Sequence, residues 1–191
     1  PEQKQKYVLE ALALADSLAA ASDDLLHTAL LKKQARCNNL LGVLQLTHGH
    51  ADSALKSFEK ALGIRETIND KAGISNSYNN LGATYNAVGD YGMAALYHFR
   101  SLRLCEELSD SAGLGFSYFN LGRLHLKTGE PDKAMIYASE CVSLRNAIGD
   151  MRGLAEAYST ISEMHFVRGN KRKSMEFEQK ALHISDSIGW L

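Results

Sequence analysis

Small and apolar positions along the chain fall into rows that recur every 40 residues. Leu41, Leu81, Leu121 and Ile161 form one row, and the next position holds Gly42, Gly82, Gly122 and Ser162. A second glycine follows seven residues later, at Gly49, Gly89, Gly129 and Gly169. Five further on stand Ala54, Ala94, Ala134 and Ser174, and seven beyond those Ala61, Ser101, Cys141 and Ala181. A catalytic site is written once. Rows that stay in phase over successive copies describe a unit of architecture.

The local chemistry of each copy predicts helix, turn, helix. The Gly49-type glycine suits the left-handed residue that ends a helix. His50, Asp90, Glu130 or Asn170 then takes the N-cap place, where Asp90 and Asn170 are good caps. Pro131 falls at a first helical position, where proline is tolerated. The second helix ends at Asn69, Ser109, Gly149 and Gly189, and Asp70, Asp110 and Asp150 cap the first helix of the next copy. Gly82 and Ala94 types let the two helices approach closely, with Leu81 and Tyr85 expected against Leu96 and Phe99. A hairpin this thin must stack on neighbours to bury its apolar faces.

The ends depart from the pattern. Glu10 to Leu18 resembles Lys60 to Ile68 at an offset of 50, so about ten residues are inserted near Ala21 to Leu30. Ser22, Asp23 and Asp24 read as the cap and acidic first turn of a lengthened helix. A single array over 1–191 is therefore expected. It divides into an orphan capping helix over 4–20 and copies over 23–69, 70–109, 110–149 and 150–189. Residues 190–191 would then be the truncated start of a further element. The start at Pro1, without methionine, suggests a chain processed or cut from something longer.

Composition narrows the function classes. Hydrophobic residues make up 45% and charged residues 23%, with two prolines, which suits long uninterrupted helices in a globular chain. The net charge of −1 suggests no general attraction to nucleic acid or an anionic membrane. No apolar run approaches the roughly 18 residues of a membrane span. Cys37, Cys105 and Cys141 leave one over in any pairing, and read as small buried side chains. Unpaired cysteines and the lack of a signal-peptide pattern favour the cytoplasm.

Candidate chemistry is sparse. His48 and His50 flank a turn glycine without further ligands placed by sequence. His98, His125 and His165 lie in helices with no nucleophile at related positions. Arg168, Lys171, Arg172 and Lys173 form a basic cluster across one turn, either a solvated turn or a phosphate site at a helix start. No phosphate-binding or dinucleotide glycine motif occurs. No catalytic residue, metal site or cofactor is expected, and no enzyme.

The order Tyr78, Leu81, Gly82, Tyr85, Ala94, Ser101 resembles the tetratricopeptide repeat. So do Leu41, Gly42, Ala54, Phe58 and Ala61, and Tyr118, Leu121, Gly122 and Ala134. Asn38, Tyr78, Tyr118 and Tyr158 stand where that pattern has tryptophan. The period of 40 exceeds the family's 34, and the usual proline after the second helix is absent. The long Asn-Leu-Gly form is similar to repeats in spindle-orientation scaffolds and bacterial signal-transduction regulators. The resemblance implies an all-α fold, a right-handed α-solenoid of stacked antiparallel helix pairs.

It also implies that first helices line a concave groove. Relative to Gly82, offsets −6, −3, −2, +1, +4 and +5 share one side of the helix. They give four stripes. The first holds Arg36, Asn39, Leu40, Val43, Leu46 and Thr47. The second holds Asn76, Asn79, Asn80, Ala83, Asn86 and Ala87. The third holds Phe116, Phe119, Asn120, Arg123, Leu126 and Lys127. The fourth holds Glu156, Ser159, Thr160, Glu163, Phe166 and Val167.

Asparagine is a poor mid-helix residue, yet its amide suits a peptide backbone. The second stripe therefore either contacts a peptide or ties adjacent copies together. Phe116 and Phe119 are either apolar anchors for a ligand or core packing. Arg123 and Glu163 share one offset in adjacent copies, and either pair or contact a ligand. The carboxylate clamp of chaperone adaptors would map to Asn39, Val43, Asn80, Phe116 and Asn120, and every basic place is lost.

The expected function is a protein-interaction scaffold that holds a partner's peptide or helix along the second and third stripes. The alternative is a sensory or regulatory segment of a larger bacterial-type signalling protein, a kinase or transcription regulator. A further reading is self-association through open ends, where Phe177, Ile184, Ile188 and Trp190 would expose apolar surface.

Overall fold

The computed structural model describes residues 2–19 and 24–189. Among the described residues there are nine α-helices and no strand. They are α1 (Glu2–Ala19), α2 (Asp24–Thr47), α3 (Ala51–Thr67), α4 (Lys71–Val88), α5 (Tyr91–Leu108), α6 (Ser111–Lys127), α7 (Pro131–Ala147), α8 (Met151–Val167) and α9 (Lys171–Ser187). The fold is all-α and of the helical-hairpin solenoid class. The chain forms two compact units, Pro1–Leu104 and Cys105–Leu191, and the boundary falls inside α5.

The turns follow the expected punctuation. Gly89 ends α4 at φ 84°, and its N–H bonds the Asn86 carbonyl. Asn69 and Ser109 take the left-handed place at φ 53° and 54° without being glycine. Asp70, Asp110 and Asp150 accept from the N–H of Gly73, Gly113 and Gly153 at 2.9–3.1 Å. Asp90 accepts from Met93 N–H at 3.0 Å. Asn170 makes no side-chain cap bond, contrary to expectation, and only its carbonyl closes the first turn of α9 through Ser174 N–H. Ser22, Asp23 and Trp190 lie outside the described residues.

In the first unit α1 packs on α2, α2 on α3 and α3 on α4. Its core joins Ala54, Phe58 and Leu81, with Leu46, Leu55, Leu62 and Tyr97 around them. On α5, the second helix of the next hairpin, Leu96 and Phe99 are 41% and 39% exposed, and Tyr97 packs against this core. Its inward stripe is Ala94, Tyr97, His98 and Ser101, spaced as one helical face. Ser101 Oγ reaches across to the Ser75 carbonyl at 2.9 Å.

In the second unit α6 packs on α7, α7 on α8 and α8 on α9. Its core joins Ala134, Ala138, Ile161 and Met164. At the fourth copy Ser162 and Ser174 replace glycine and alanine, and Ser162 Oγ donates to the Ser174 carbonyl at 2.9 Å. Cys141 is buried against the Gly115 carbonyl, and burial pushes its thiol up. Phe177 is not an open-end residue. It packs against this core, stacked on His165 and covered by Lys180 at 4.6 Å.

Candidate functional site

In the second unit α6 and α8 bring the third and fourth stripes side by side. An open cleft of about 340 Å³ runs between them. Phe119 and Arg123 line it from α6, and Glu156, Ser159, Thr160 and Glu163 from α8, together with Ala155 and Ser185. All but the last two are stripe positions. A shared offset on neighbouring parallel-running helices places side chains on one face, so a spacing of 40 becomes adjacency in space.

The charges in this cleft are not neutralised by each other. Among the described residues no ion pair joins Arg123 to Glu163, although both are exposed and line the same cavity. Arg123 instead lies over Phe119, with Cζ 5.6 Å from the ring centre. Glu156 is held by Arg152 at 3.6 Å, and Thr160 Oγ1 donates to the Glu156 carbonyl. Phe116 remains 49% exposed but has one face covered by the Arg145 guanidinium at 4.3 Å. Asn120 is half-buried and Lys127 exposed at the end of α6.

In the first unit the asparagines separate by their angle on the helix. Asn80 Nδ2 donates to Asn39 Oδ1 at 2.6 Å, tying α4 to α2. Asn76 and Arg36 are exposed. Asn79 is 8% exposed, with Oδ1 3.4 Å from His98 Nδ1. Its side chain belongs to the hairpin interior and not to an open groove. Asn86 is half-buried, and its Oδ1 has no partner among the described residues. At 100° per residue, offsets −3 and +4 lie only about 60° and 40° from the Gly82 direction, so these two amides turn toward the second helix.

Three features escaped the sequence reading. One is an aromatic clasp inside each of the last three hairpins. Tyr97 lies between Tyr78 and Tyr85 at 5.9 and 5.6 Å, Tyr137 between Tyr118 and His125 at 6.3 and 5.4 Å, and Phe177 between Tyr158 and His165 at 5.8 and 5.5 Å. The first copy substitutes a polar pair there, Ser57 Oγ donating to Gln45 Oε1 at 2.7 Å. The 40-residue recurrence of Tyr97, Tyr137 and Phe177 was the available signal.

A second feature is a buried arginine in alternate copies. Arg65 donates to the Gly73 carbonyl at 2.9 Å and to Ser77 Oγ at 2.6 Å, and burial lowers its pKa. Arg145, 3% exposed, pairs with Asp150. The third feature is His98. Burial pushes it down to about 4, and its Nε2 has no partner among the described residues. His165 is lowered for the same reason, while His125 Nδ1 meets Glu130 Oε2 at 2.7 Å. Arg168, from the basic cluster, pairs with Asp132. Among the described residues no group of three or more His, Cys, Asp or Glu could hold a metal ion, and no helix is long and apolar enough to cross a membrane.

Two family models described as Tetratricopeptide repeat match the chain, one over residues 35–68 and one over 73–147. These segments are tetratricopeptide repeats.

The repeat backbone recurs in solved structures. BtubC from P. vanneervenii superposes with a TM-score of 0.72 at 16% identity, over 100% of this chain and 92% of that one. Aspartyl phosphate phosphatase F from Bacillus subtilis does so at 0.75 and 13%, over 98% and 54%. A signal-transduction ATPase with a tetratricopeptide repeat sensor, from Pyrococcus horikoshii, gives 0.72 and 17%, over 85% and 25%. At these identities the likeness concerns the fold. The uncharacterized protein ycf37 of Guillardia theta is 37% identical over 62 residues, which is 32% of this chain. The chain spans about a third of the length of that curated relative, 34%.

Proposed function

We propose that the chain is a protein-interaction module of the long-period Asn-Leu-Gly repeat form, and that the α6–α8 cleft receives a peptide or helix of a partner protein. One observation carries the reading: the cleft is lined almost wholly by stripe positions of the two first helices. Phe119 supplies an apolar wall, and buried aromatics at interfaces are common hot spots. The tetratricopeptide repeats, and neighbours such as aspartyl phosphate phosphatase F and the Pyrococcus horikoshii ATPase, fit a protein-interaction or regulatory role. The Asn39–Asn80 bond supports the tying role for the first-unit amides.

A peptide array probed with the purified chain tests the reading. Chemical-shift mapping of the best binder is expected to move amides around Phe119, Ser159 and Glu163. Folded Phe119→Ala protein should bind at least tenfold more weakly. Shifts confined to α9 or to the turns would place the partner elsewhere.

The second reading, a regulatory segment within a larger signalling protein, is supported by the fold likeness to the Pyrococcus horikoshii ATPase, where the chain spans 25% of the matched protein. An open reading frame with an ATPase, kinase or DNA-binding domain in line with these residues would favour it.

A further inference from the structure

Resting on the cleft as the partner site, we infer that its occupant is an extended peptide carrying one acidic and one basic side chain about three residues apart. Arg123 and Glu163 stand at the same repeat position on α6 and α8, and both line the cleft. Both are exposed, and neither has an ion-pair partner among the described residues. Glu156, the other carboxylate in the cavity, is already engaged by Arg152. The cleft therefore presents one uncommitted cation on one wall and one uncommitted anion on the other.

The Arg123 guanidinium rests on the Phe119 ring, so its position is partly set before a ligand arrives. Packed helices lie about 8–10 Å apart, and an extended chain advances about 3.3 Å per residue. An extended peptide that crosses from one wall to the other therefore brings side chains three residues apart over the two helices. A peptide with two like charges must set one of them against its own sign, which costs affinity. Ser159 is exposed on the α8 wall and supplies a hydroxyl, whereas that of Thr160 is used within α8.

Four synthetic peptides test this, identical except at two positions three apart that hold Glu and Lys, Glu and Glu, Lys and Lys, or Gln and Gln. An extended peptide can cross the cleft in either direction, so the signs present matter rather than their order. Fluorescence anisotropy with the full chain at low salt should rank the Glu/Lys peptide first, by about threefold over each of the others. The preference should fade as salt rises. In Glu163→Lys the Glu/Glu peptide should move to first place, and in Arg123→Glu the Lys/Lys peptide should. Both variants are at exposed positions, and circular dichroism verifies their helicity.

An unchanged ranking across the three proteins overturns the charge rule. If Gln/Gln binds as well as Glu/Lys and Phe119→Ala abolishes both, the cleft reading survives and the charge rule does not. Failure of every peptide to bind overturns both.

Discussion

A Cβ placed on Gly82 would stand 2.6 Å from Cε1 of His98. The imidazole fills the space that the absent side chain leaves, and it is wholly buried there. Phe58 stands against Gly42 in the same way, also at 2.6 Å. Gly122 is different: its third-copy counterpart on the second helix is Ala138, and an added Cβ would meet only ordinary contacts at 3.5 Å.

Gly82→Ala is therefore expected to destabilise by about 1–3 kcal/mol, since the wholly buried ring must shift to admit the methyl group. Gly122→Ala should be neutral or stabilising by up to about 1 kcal/mol, because alanine is the better helix former. Thermal denaturation of the two variants separates them. Equal losses would mean that both glycines hold off the second helix alike.

The pH dependence of stability follows from the same imidazole. Its ordinary value is 6.5 and burial holds it at about 4, so the unfolded chain binds the proton more readily. The contribution is fully present above about 6.5 and is lost as pH falls toward 4, by roughly 3 kcal/mol in all. His165 is shifted in the same direction and adds to this acid limb. His98→Phe copies the Phe58 arrangement of the first repeat. It should fold and show a flatter dependence between pH 6.5 and 4 in urea denaturation. An equally steep limb in that variant would assign the effect to other groups.

Gly89 and Gly129 hold φ at 84° and 75°, where a β-branched side chain is strained. Gly89→Val and Gly129→Val should each cost about 1 kcal/mol or more. Unchanged melting temperatures in both would contradict the turn geometry.

Arg145 lies beside two glycines that make room for it: a Cβ on Gly115 would meet its Nε at 2.7 Å, and one on Gly153 its Cδ at 2.8 Å. Arg145→Ala removes the pair with Asp150 and leaves a void, with an expected loss of about 2–4 kcal/mol. Arg145→Met keeps the volume, and the half-buried Asp150 can still cap α8 through Gly153 N–H. That variant should stay within about 1 kcal/mol of the parent. Comparable losses in the two variants would show that the charge matters more than the volume.

Periodicity over 40 residues carried the helix count per copy, the turn positions and the offsets that share a helix face. Turn chemistry is local: Asp70 caps through Gly73, three residues on, and Gly89 closes α4 through Asn86. Such bonds join near neighbours in sequence, so residue type and spacing suffice to predict them.

Partnership across the hairpin was less legible. Leu96 and Phe99 are apolar and so were expected inside, but a quarter-turn error on a helix exchanges inside for outside. The stripe that packs is Ala94, Tyr97, His98 and Ser101, three of them residues with a polar group that a hydrophobicity pattern undervalues. Asn79 and Asn80 are adjacent in sequence and identical in chemistry. One bonds toward His98 within its own hairpin and the other bonds Asn39 of the preceding repeat.

The sequence by itself determined the repeat, its helices and the face that carries Phe119, Arg123 and Glu163, because these depend on spacing alone. Tertiary structure decided that no ion pair among the described residues joins Arg123 to Glu163, that Arg145 covers one face of Phe116, and that a Cβ would crowd His98 at Gly82 but meet ordinary contacts at Gly122. Those outcomes depend on ångström-scale distances between side chains from different helices, and residue order carries no such distances.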